Sequence, residues 1–580
     1  MLDFNMDRTF NRKMLLLYFF ATFFICNTIS RAAETAAVPL TKPEKNLNDQ
    51  ITNRVEQDKT RKDKLQKNEQ ETRSSQQDFS KSTVNFPEET PCYLINDVYY
   101  KKDNKKLNLS TLNYFTDQAK GKCLGSRGIK LLADIMQNEI IRLGYITTRI
   151  SMPPQNLNSH ELHFDIVSGN IGKIKLVEGG ANYISLTNTL PLAEGDLLNL
   201  SDLEQGSFNL QRVPGSRVKI TLTPGAEKGE SDIIIHREQD KFWQIGAWLN
   251  DAGSRATGRY QAGAVLYLNN ITSLSDTLYV SLGHDIDTMN KPQGNSNQSV
   301  GYSVPWGYWS MDLYASRSRY QQRVQANWSD WMLNNDNFYY SAQLNRQLSN
   351  TVHQRTTMGM QIFNTRSRYY YEDFELGSMR KHNAGWKAIL EHQHYFGNSV
   401  VNGSLSYQKK MPWFGSASTQ EQQERVIDSE GRVITLDLQA SVNIDLLSQT
   451  LNYSPHFMLQ LSPDMLSSLD RFALGNRWTV RGFDGEANLQ ENQGWYWRND
   501  FTWVLPDKNY QPYLGLDIGQ VMGNKSQQYY SGKMLAGSVI GLRGRAWNTG
   551  YDIFAGIPLK KPQEFHTDPL SLGFSLQWKY

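Results

Sequence analysis

The sequence has 580 residues and a formal net charge of +3, with 21% charged residues. This length allows about two to four domains, and the near-neutral charge excludes a strongly basic nucleic-acid binder and a protein with an acidic tail. Aromatic residues make up 12% of the chain, and most of them follow Phe242, where Gly is also frequent. That combination favours a chain of many strands over a helical enzyme.

Residues 1–32 have the order of a secretory signal peptide. Basic residues up to Lys13 precede an apolar run at 14–26, and the small residues Ala32 and Ala33 follow. We therefore expect export and cleavage near Ala32. A signal anchor is the alternative, but the run is shorter than the roughly 18 apolar residues of a membrane-spanning helix.

Residues 33–85 are polar and rich in Lys, Glu, Gln, Asp and Asn. Leu47, Ile51 and Val55 recur every four residues, which predicts a helix with a narrow apolar stripe. A disordered linker is the alternative that the composition leaves open. A helix that is polar on nearly all sides is stable only in a wet, polar enclosure.

Residues 86–169 and 170–239 repeat one mixed order of strand, helix and two further strands. The helices are predicted at 128–145 and near 198–211, and strands at "ELHFDIV", "GKIKLVEG", "RVKITLTPG" and "SDIIIHRE". The sequence thus predicts two consecutive small α+β modules.

Two cysteines follow the predicted signal peptide, Cys92 and Cys123. Because an exported protein folds in an oxidising compartment, we expect a disulfide between them. Two free thiols are the alternative.

From residue 240 onward, period-two alternation replaces the helical pattern. The last ten residues, "SLGFSLQWKY", place Phe574, Leu576, Trp578 and Tyr580 on one face and polar or small residues on the other. Both a soluble sandwich and a transmembrane barrel alternate in this way. The export signal, the many apolar and aromatic faces and the available length favour a transmembrane antiparallel β-barrel of about 16 strands.

The stretch "YQPYLGLDIGQV" places Leu514 and Leu516 on one face and Gly515, Asp517 and Gly519 on the other. If the leucine face meets lipid, Asp517 points into the lumen, because an ionised carboxylate in hydrocarbon is prohibitively costly. The two glycines leave room for a partner to approach it.

We predict that this partner is Arg481, in the stretch "RWTVRGFDGEAN". Its neighbour Gly482 lets the backbone pass close to the wall, and a guanidinium binds a carboxylate through two parallel hydrogen bonds. A solvated loop arginine is the alternative.

"VRGF" (Val480, Arg481, Gly482 and Phe483) and "GLDIG" resemble the paired motifs of the outer-membrane transporters that carry POTRA domains. "DAGSRATGRYQ", "YSVPWGYW" and "GWYWRNDF" bring the resemblance closer to the TpsB transporters of two-partner secretion, the haemolysin-activator type. It covers roughly residues 86–580.

The resemblance implies a 16-stranded barrel at 240–580, two periplasmic POTRA domains at 86–169 and 170–239, and an N-terminal plug helix within 33–85. It also implies a lumen loop at about 463–493 with VRGF at its tip, held by an Arg481–Asp517 contact. The implied function is export of one large unfolded partner protein (a haemolysin, an adhesin or a contact-dependent inhibition toxin) across the outer membrane.

The expected partners are the cognate secreted TpsA exoprotein, outer-membrane lipid and the barrel assembly machinery that inserts the chain as a monomer. We expect no cofactor, no metal, no nucleic acid and no enzymatic activity. The sequence has no G-x-S-x-G elbow, no H-E-x-x-H helix and no phosphate loop.

Three other functions would each fit part of the sequence: a metal-dependent enzyme, a passive porin or receptor, and a barrel assembly factor. His392 and His394 share a strand face, but without an evident third ligand we expect a lumen or loop position rather than a metal site. A passive porin or receptor needs no periplasmic modules. An assembly factor that inserts other barrels shares the paired motifs but usually carries more modules.

Overall fold

The computed structural model of the protein describes residues 83–177, 183–287, 294–325, 330–351, 353–424, 426–446, 449–507, 509–523 and 532–580. The predicted signal peptide and the predicted plug helix lie outside these residues. Within the described part of the chain, no helix is both long and apolar enough to cross a membrane.

The first module packs two helices against a small sheet. Its elements are β1 (Tyr93–Ile95), β2 (Asp97–Lys102), α1 (Asn113–Ala119), β3 (Lys122–Leu124), α2 (Ser126–Arg142), β4 (Arg149–Ser151) and β5 (Glu161–Val167). The sheet order is β2–β5–β4, with β2 parallel to β5, and β1 pairs with β3. The apolar stripe of α2 covers the sheet with Leu132, Met136 and Ile140, all fully buried.

The second module has a sheet in the order β6–β8–β7. Its elements are β6 (Asn170–Leu176), α3 (Leu186–Thr189), α4 (Leu200–Gln211), β7 (Ser216–Pro224) and β8 (Glu230–Gln239). The side chain of Asn199 caps α4 by accepting a hydrogen bond from the backbone N–H of Ser201.

The rest of the chain forms a closed antiparallel barrel with sixteen wall strands among the described residues. They are β9 (Trp243–Asn250), β10 (Gln261–Asn269), β11 (Thr277–Asp285), β12 (Gly294–Trp306), β13 (Trp309–Gln325), β14 (Asp330–Asn350), β15 (Gln354–Tyr371), β17 (Lys381–Phe396), β18 (Ser399–Lys410), β19 (Arg432–Leu446), β20 (Gln449–Leu461), β23 (Gln493–Val504), β24 (Gln511–Met522), β25 (Met534–Ala546), β26 (Thr549–Lys560) and β27 (Ser571–Lys579). The loops hold β16 (Phe374–Glu375), α5 (Gln420–Gln423), β21 (Phe472–Leu474) and β22 (Leu489–Glu491). Strand β27 pairs with β9 and closes the barrel.

The wall alternates as the sequence predicts. On β24, Tyr513, Gly515 and Asp517 are buried inside the barrel, whereas Leu514 and Leu516 are 46% and 42% exposed on the outside. An apolar exposed face on every second residue is what a lipid-facing wall requires.

The second module is docked on one end of the barrel, which we call the module end. The side chain of Asn209 on α4 donates to the carbonyl oxygens of Thr189 and Gly307, both at 2.7 Å, and Gly307 lies in the turn between β12 and β13. In the same turn, the Tyr308 hydroxyl donates to Asp202. Burial raises the pKa of the Asp202 carboxyl, and the bond from Tyr308 partly offsets this. The module is thus hydrogen-bonded directly to the wall, and the opposite end is called the far end.

Candidate functional site

A long loop from the far end folds back into the barrel. It joins β20 to β23 through residues 462–492, and its short strands β21 and β22 pair with each other inside the lumen. Most of its residues are buried. The expected lumen loop at 463–493 thus falls on this segment, and we call it the lumen loop.

Arg481 and Asp517 form a two-pronged ion pair between the lumen loop and β24. Arg481 Nε lies 2.7 Å from Asp517 Oδ2, and Arg481 Nη2 lies 2.9 Å from Asp517 Oδ1. The backbone N–H of Arg481 also donates to Asp517 Oδ2 at 3.0 Å. The two side chains are only 4% and 1% exposed. A bidentate, shielded contact of this kind fixes both the distance and the orientation of the loop.

A second carboxylate, which the sequence analysis did not assign, completes the site. Asp500 on β23 accepts a hydrogen bond from Arg481 Nη2, and its other oxygen lies 2.7 Å from Arg543 Nη2 on β25. Two arginines and two aspartates therefore balance in charge, which lowers the cost of burying them. Asp500 lies in the stretch "GWYWRNDF", whose alternation places it on the face opposite Phe501.

Glycines give the loop its close approach to the wall. Gly482 has φ +95°, and a Cβ there would lie 2.4 Å from the carbonyl oxygen of Ile557. A Cβ on Gly515 would lie 2.6 Å from Arg481 Nη2, so this glycine makes room for the guanidinium. Gly519 instead makes room for Leu474 of the loop, whose Cδ2 lies 3.0 Å from the ideal Cβ position.

Val480 and Phe483, on either side of the Arg-Gly pair, anchor the loop through apolar contacts. Val480 is fully buried and Phe483 is 5% exposed. The Phe483 ring packs edge-on against Phe565 at 5.6 Å between centroids. The whole cluster consists of Phe472, Leu474, Val480, Phe483, Leu489, Tyr496, Val521, Leu535 and Phe565. One side of the lumen is therefore apolar and covered by the loop.

A second arginine of the loop reaches the barrel seam, where β27 meets β9. Arg477 Nη1 lies 2.7 Å from Asp251 Oδ1, and Arg477 Nη2 lies 3.2 Å from the carbonyl oxygen of Phe574 on β27. Asp251 itself follows β9 and also accepts from the backbone N–H of Phe574 at 2.8 Å. The loop is therefore tied to both strands of the seam.

A third ion pair holds the start of the loop on the other side of the barrel. Lys410 Nζ, at the end of β18, lies 2.8 Å from Asp470 Oδ2. Asp470 also accepts from Asn383 and Gln408. Neither this pair nor the Arg477 pair is evident from the sequence pattern.

The other predicted residues lie away from this site. Cys92 and Cys123 are joined by a disulfide in the first module. On the seam strand, Trp578 and Tyr580 are 39% and 59% exposed on the outer wall, and Tyr580 stacks on Trp243 of β9 at 6.0 Å. Phe574 and Leu576 are partly buried on the same strand.

The expected lumen or loop position of His392 and His394 is wrong. Both lie on the same side of β17 as Leu390, which is 43% exposed on the outer wall, and His392 contacts Thr356 there. Alternation shows that two residues share a face but not which face it is. Among the described residues, no group of three or more His, Cys, Asp or Glu side chains is placed to hold a metal ion.

The fold and the site together define a class: a transmembrane β-barrel with two periplasmic modules and an arginine-anchored loop in its lumen. The family model "Haemolysin secretion/activation protein ShlB/FhaC/HecB" matches residues 229–544, and POTRA models match 94–169 and 170–224. The chain belongs to this family of secretion proteins, and it is an outer-membrane transporter of the two-partner secretion type.

Similar proteins include the outer membrane transporter CdiB-2 of Burkholderia pseudomallei, 32% identical over 79% of this chain and 78% of the relative. The hemolysin transporter protein HpmB of Proteus mirabilis is 25% identical over 79% of this chain and 77% of its own length. The solved structure of CdiB from Acinetobacter baumannii matches with a TM-score of 0.80 at 25% identity, over 94% of this chain and all of that chain.

Proposed function

We propose that this transporter exports one large exoprotein in an unfolded state and that the lumen loop is the part that must move to let it pass. The observation that carries the proposal is the buried Arg481–Asp517 contact, which holds the loop inside the barrel. A loop that fills one side of the lumen narrows the path for a chain.

The ion-pair network suits a contact that is broken and remade. Two arginines, Arg481 and Arg543, balance the charge of two aspartates. When Arg481 leaves with the loop, Asp500 therefore stays paired with Arg543 on the wall. Water that follows the departing loop solvates Asp517 and reduces the cost of separation. The apolar cluster around Phe483 favours return of the loop once the cargo has passed.

We propose that the cargo first binds the POTRA modules by strand addition. In the second module, β6 and β7 are the edges of the sheet. An extended segment that pairs with such an edge gains backbone hydrogen bonds without requiring one particular sequence. Docking of this module on the turn at Gly307 places the bound segment near the module end of the barrel.

The driving force in this proposal is folding of the cargo outside the cell. The periplasm offers no nucleotide, and the chain has no phosphate-binding loop of the G-x-x-x-x-G-K-S/T type. We also propose that the chain acts as a monomer without a cofactor, performs no catalysis itself and is inserted by the barrel assembly machinery, which recognises its C-terminal strand.

The direct test is co-expression in a Gram-negative host of this chain and the large exoprotein encoded beside its gene. With the transporter, the cargo is expected to become accessible to external protease on whole cells. Without it, the cargo should be protected and remain in the periplasm. Surface delivery that is equal with and without the transporter contradicts the proposal.

A further inference from the structure

The outer wall of the barrel carries arginines at one level of two strands, β13 and β15, which flank β14. Arg317 and Arg319 are on β13, Arg366 and Arg368 are on β15, and Asp336 lies between them on β14. In the register of the sheet, Arg319 is opposite Asp336, which is opposite Arg368. We call these five residues the arginine patch.

The patch faces outward, not into the lumen. Side chains on every second residue share a face, and Arg317 and Arg319 are in phase with Leu313, which is 40% exposed on the lipid-facing side. Arg366 is likewise in phase with Ile362, which is 47% exposed.

The patch begins where the apolar outer band ends. On the module side of it, the outer face of these strands is apolar or aromatic: Met311, Leu313, Tyr340, Leu344, Met358, Met360 and Ile362, all at least 40% exposed. The turn at Gly307 and Tyr308 places the module end at the other end of β13. The patch therefore lies at the level of the lipid headgroups of the outer leaflet.

The patch has more positive charge than its own carboxylate balances. Asp336 pairs with Arg317, whose Nε lies 2.9 Å from Asp336 Oδ1, and lies 3.7 Å from Arg319 Nε. Within the described residues, no ion pair joins Arg366 or Arg368 to a carboxylate. Side chains of Arg317 and Arg319 are 34% and 54% exposed.

We propose that this patch binds the phosphate groups of outer-leaflet lipid headgroups. A guanidinium binds phosphate oxygens in pairs, and a row of arginines beside an apolar band matches a ligand with acyl chains and an anionic head. Lipid bound there fixes the height and rotation of the barrel wall in the membrane. The inference deepens the proposed function, since it assigns the lipid that the transporter contacts.

The test uses the purified full-length protein and lipid A, a phosphorylated glycolipid, with its dephosphorylated form and inorganic phosphate for comparison. Binding is measured by native mass spectrometry and by titration in detergent. R366Q/R368Q should weaken lipid A binding by about tenfold, whereas R366K/R368K retains charge and should lose less. K105Q/K106Q, which removes two exposed lysines of the first module, is the matched control and should bind as the unmodified protein does.

Equal binding of dephosphorylated lipid, or unchanged lipid A binding by R366Q/R368Q, overturns the proposal. Displacement of lipid A by an equal concentration of inorganic phosphate shows a free-anion site instead and also overturns it. A loss of exported cargo in R366Q/R368Q with unchanged lipid binding identifies a cargo-contact surface instead. Because lipid binding is measured without cargo, a negative result in this test does not contradict the export proposal. Each variant is also checked for heat-modifiable migration on SDS gels, which shows that its barrel is folded.

Discussion

Arg477 of the lumen loop binds Asp251 at the far end of the seam, with 2.7 Å between Nη1 and Oδ1. The two residues are 226 positions apart in the chain. The ladder between β27 and β9 runs only from Ser575 to Lys579, and Arg477 adds a contact to the carbonyl oxygen of Phe574 just beyond it. The position of the loop and the integrity of the seam are therefore linked through one side chain.

We expect Arg477→Ala to weaken the seam. It leaves the nearly buried Asp251 without its principal cation, which costs about 1–3 kcal/mol. The measurement is the temperature at which the barrel loses its folded migration on SDS gels, which should fall. Lys105→Ala is the control, because Lys105 is an exposed residue of the first module and does not contact the seam. Equal melting of Arg477→Ala and the unmodified barrel contradicts the link.

Asp470→Ala should release the start of the lumen loop. It removes the acceptor of Lys410, whose side chain is only 2% exposed, and of Asn383 and Gln408. Because the buried ammonium of Lys410 then lacks its counter-charge, we expect the free energy that keeps the loop in its lumen position to fall by about 3–5 kcal/mol. Planar-bilayer recordings should show more frequent channel openings, whereas Asp470→Asn, which still accepts from the amides, should show an intermediate frequency. A conductance trace like that of the unmodified protein speaks against this role.

Gly515→Ala should displace the Arg481 guanidinium. The added methyl group would lie 2.6 Å from Arg481 Nη2 and 2.5 Å from Val539 Cγ2, and overpacking of this kind costs about 1–3 kcal/mol. Cargo export should fall while the amount of inserted barrel stays the same. Gly550→Ala is the control, since its nearest neighbour lies 3.8 Å away. Full export by Gly515→Ala would mean that the guanidinium does not need its present position.

Removal of the Cys92–Cys123 disulfide should destabilise the first module without affecting the barrel. The two cysteines are separated by 31 positions, and closing a loop of that size contributes about 3–4 kcal/mol. C92S/C123S should therefore be cleaved sooner by protease within residues 86–169 while the barrel keeps its heat-modifiable migration. A cleavage rate equal to that of the unmodified protein contradicts this estimate.

Local alternation was sufficient to predict the inward direction of Asp517, because the cost of a carboxylate in hydrocarbon decides which face it occupies. It was also sufficient for the outer face at Leu514, and helical periodicity predicted a helix at 128–145, where α2 (Ser126–Arg142) lies. For His392 and His394 the cost of burial in hydrocarbon does not determine the face, because histidine is tolerated at the membrane interface. The predicted lumen or loop position was therefore wrong.

The rest of the site depends on which strands are neighbours and at what height. Arg543 meets Asp500 across β24, which lies between their strands β25 and β23, and Arg477 meets Asp251 because the barrel closes on itself. A single strand pattern carries no information on either. The Arg481–Asp517 pairing itself came from a resemblance of motifs, whereas the reason that Asp517 needs a partner came from the residues.

The most direct test of the account is a double-mutant cycle on export with Arg481→Ala, Asp517→Ala and both together. Arg481→Ala leaves the buried Asp517 without its bidentate cation, and Asp517→Ala leaves Arg481 with Asp500 alone, each at a cost of up to about 3–5 kcal/mol. Because the loop then loses its fixed position, both changes should reduce cargo export strongly while the barrel still inserts. The double variant should export no less than either single variant, because no unpaired charge remains between these two positions. Independent losses that add in the double variant would show that the two side chains do not act as a pair, and would contradict the proposal that their contact holds the loop.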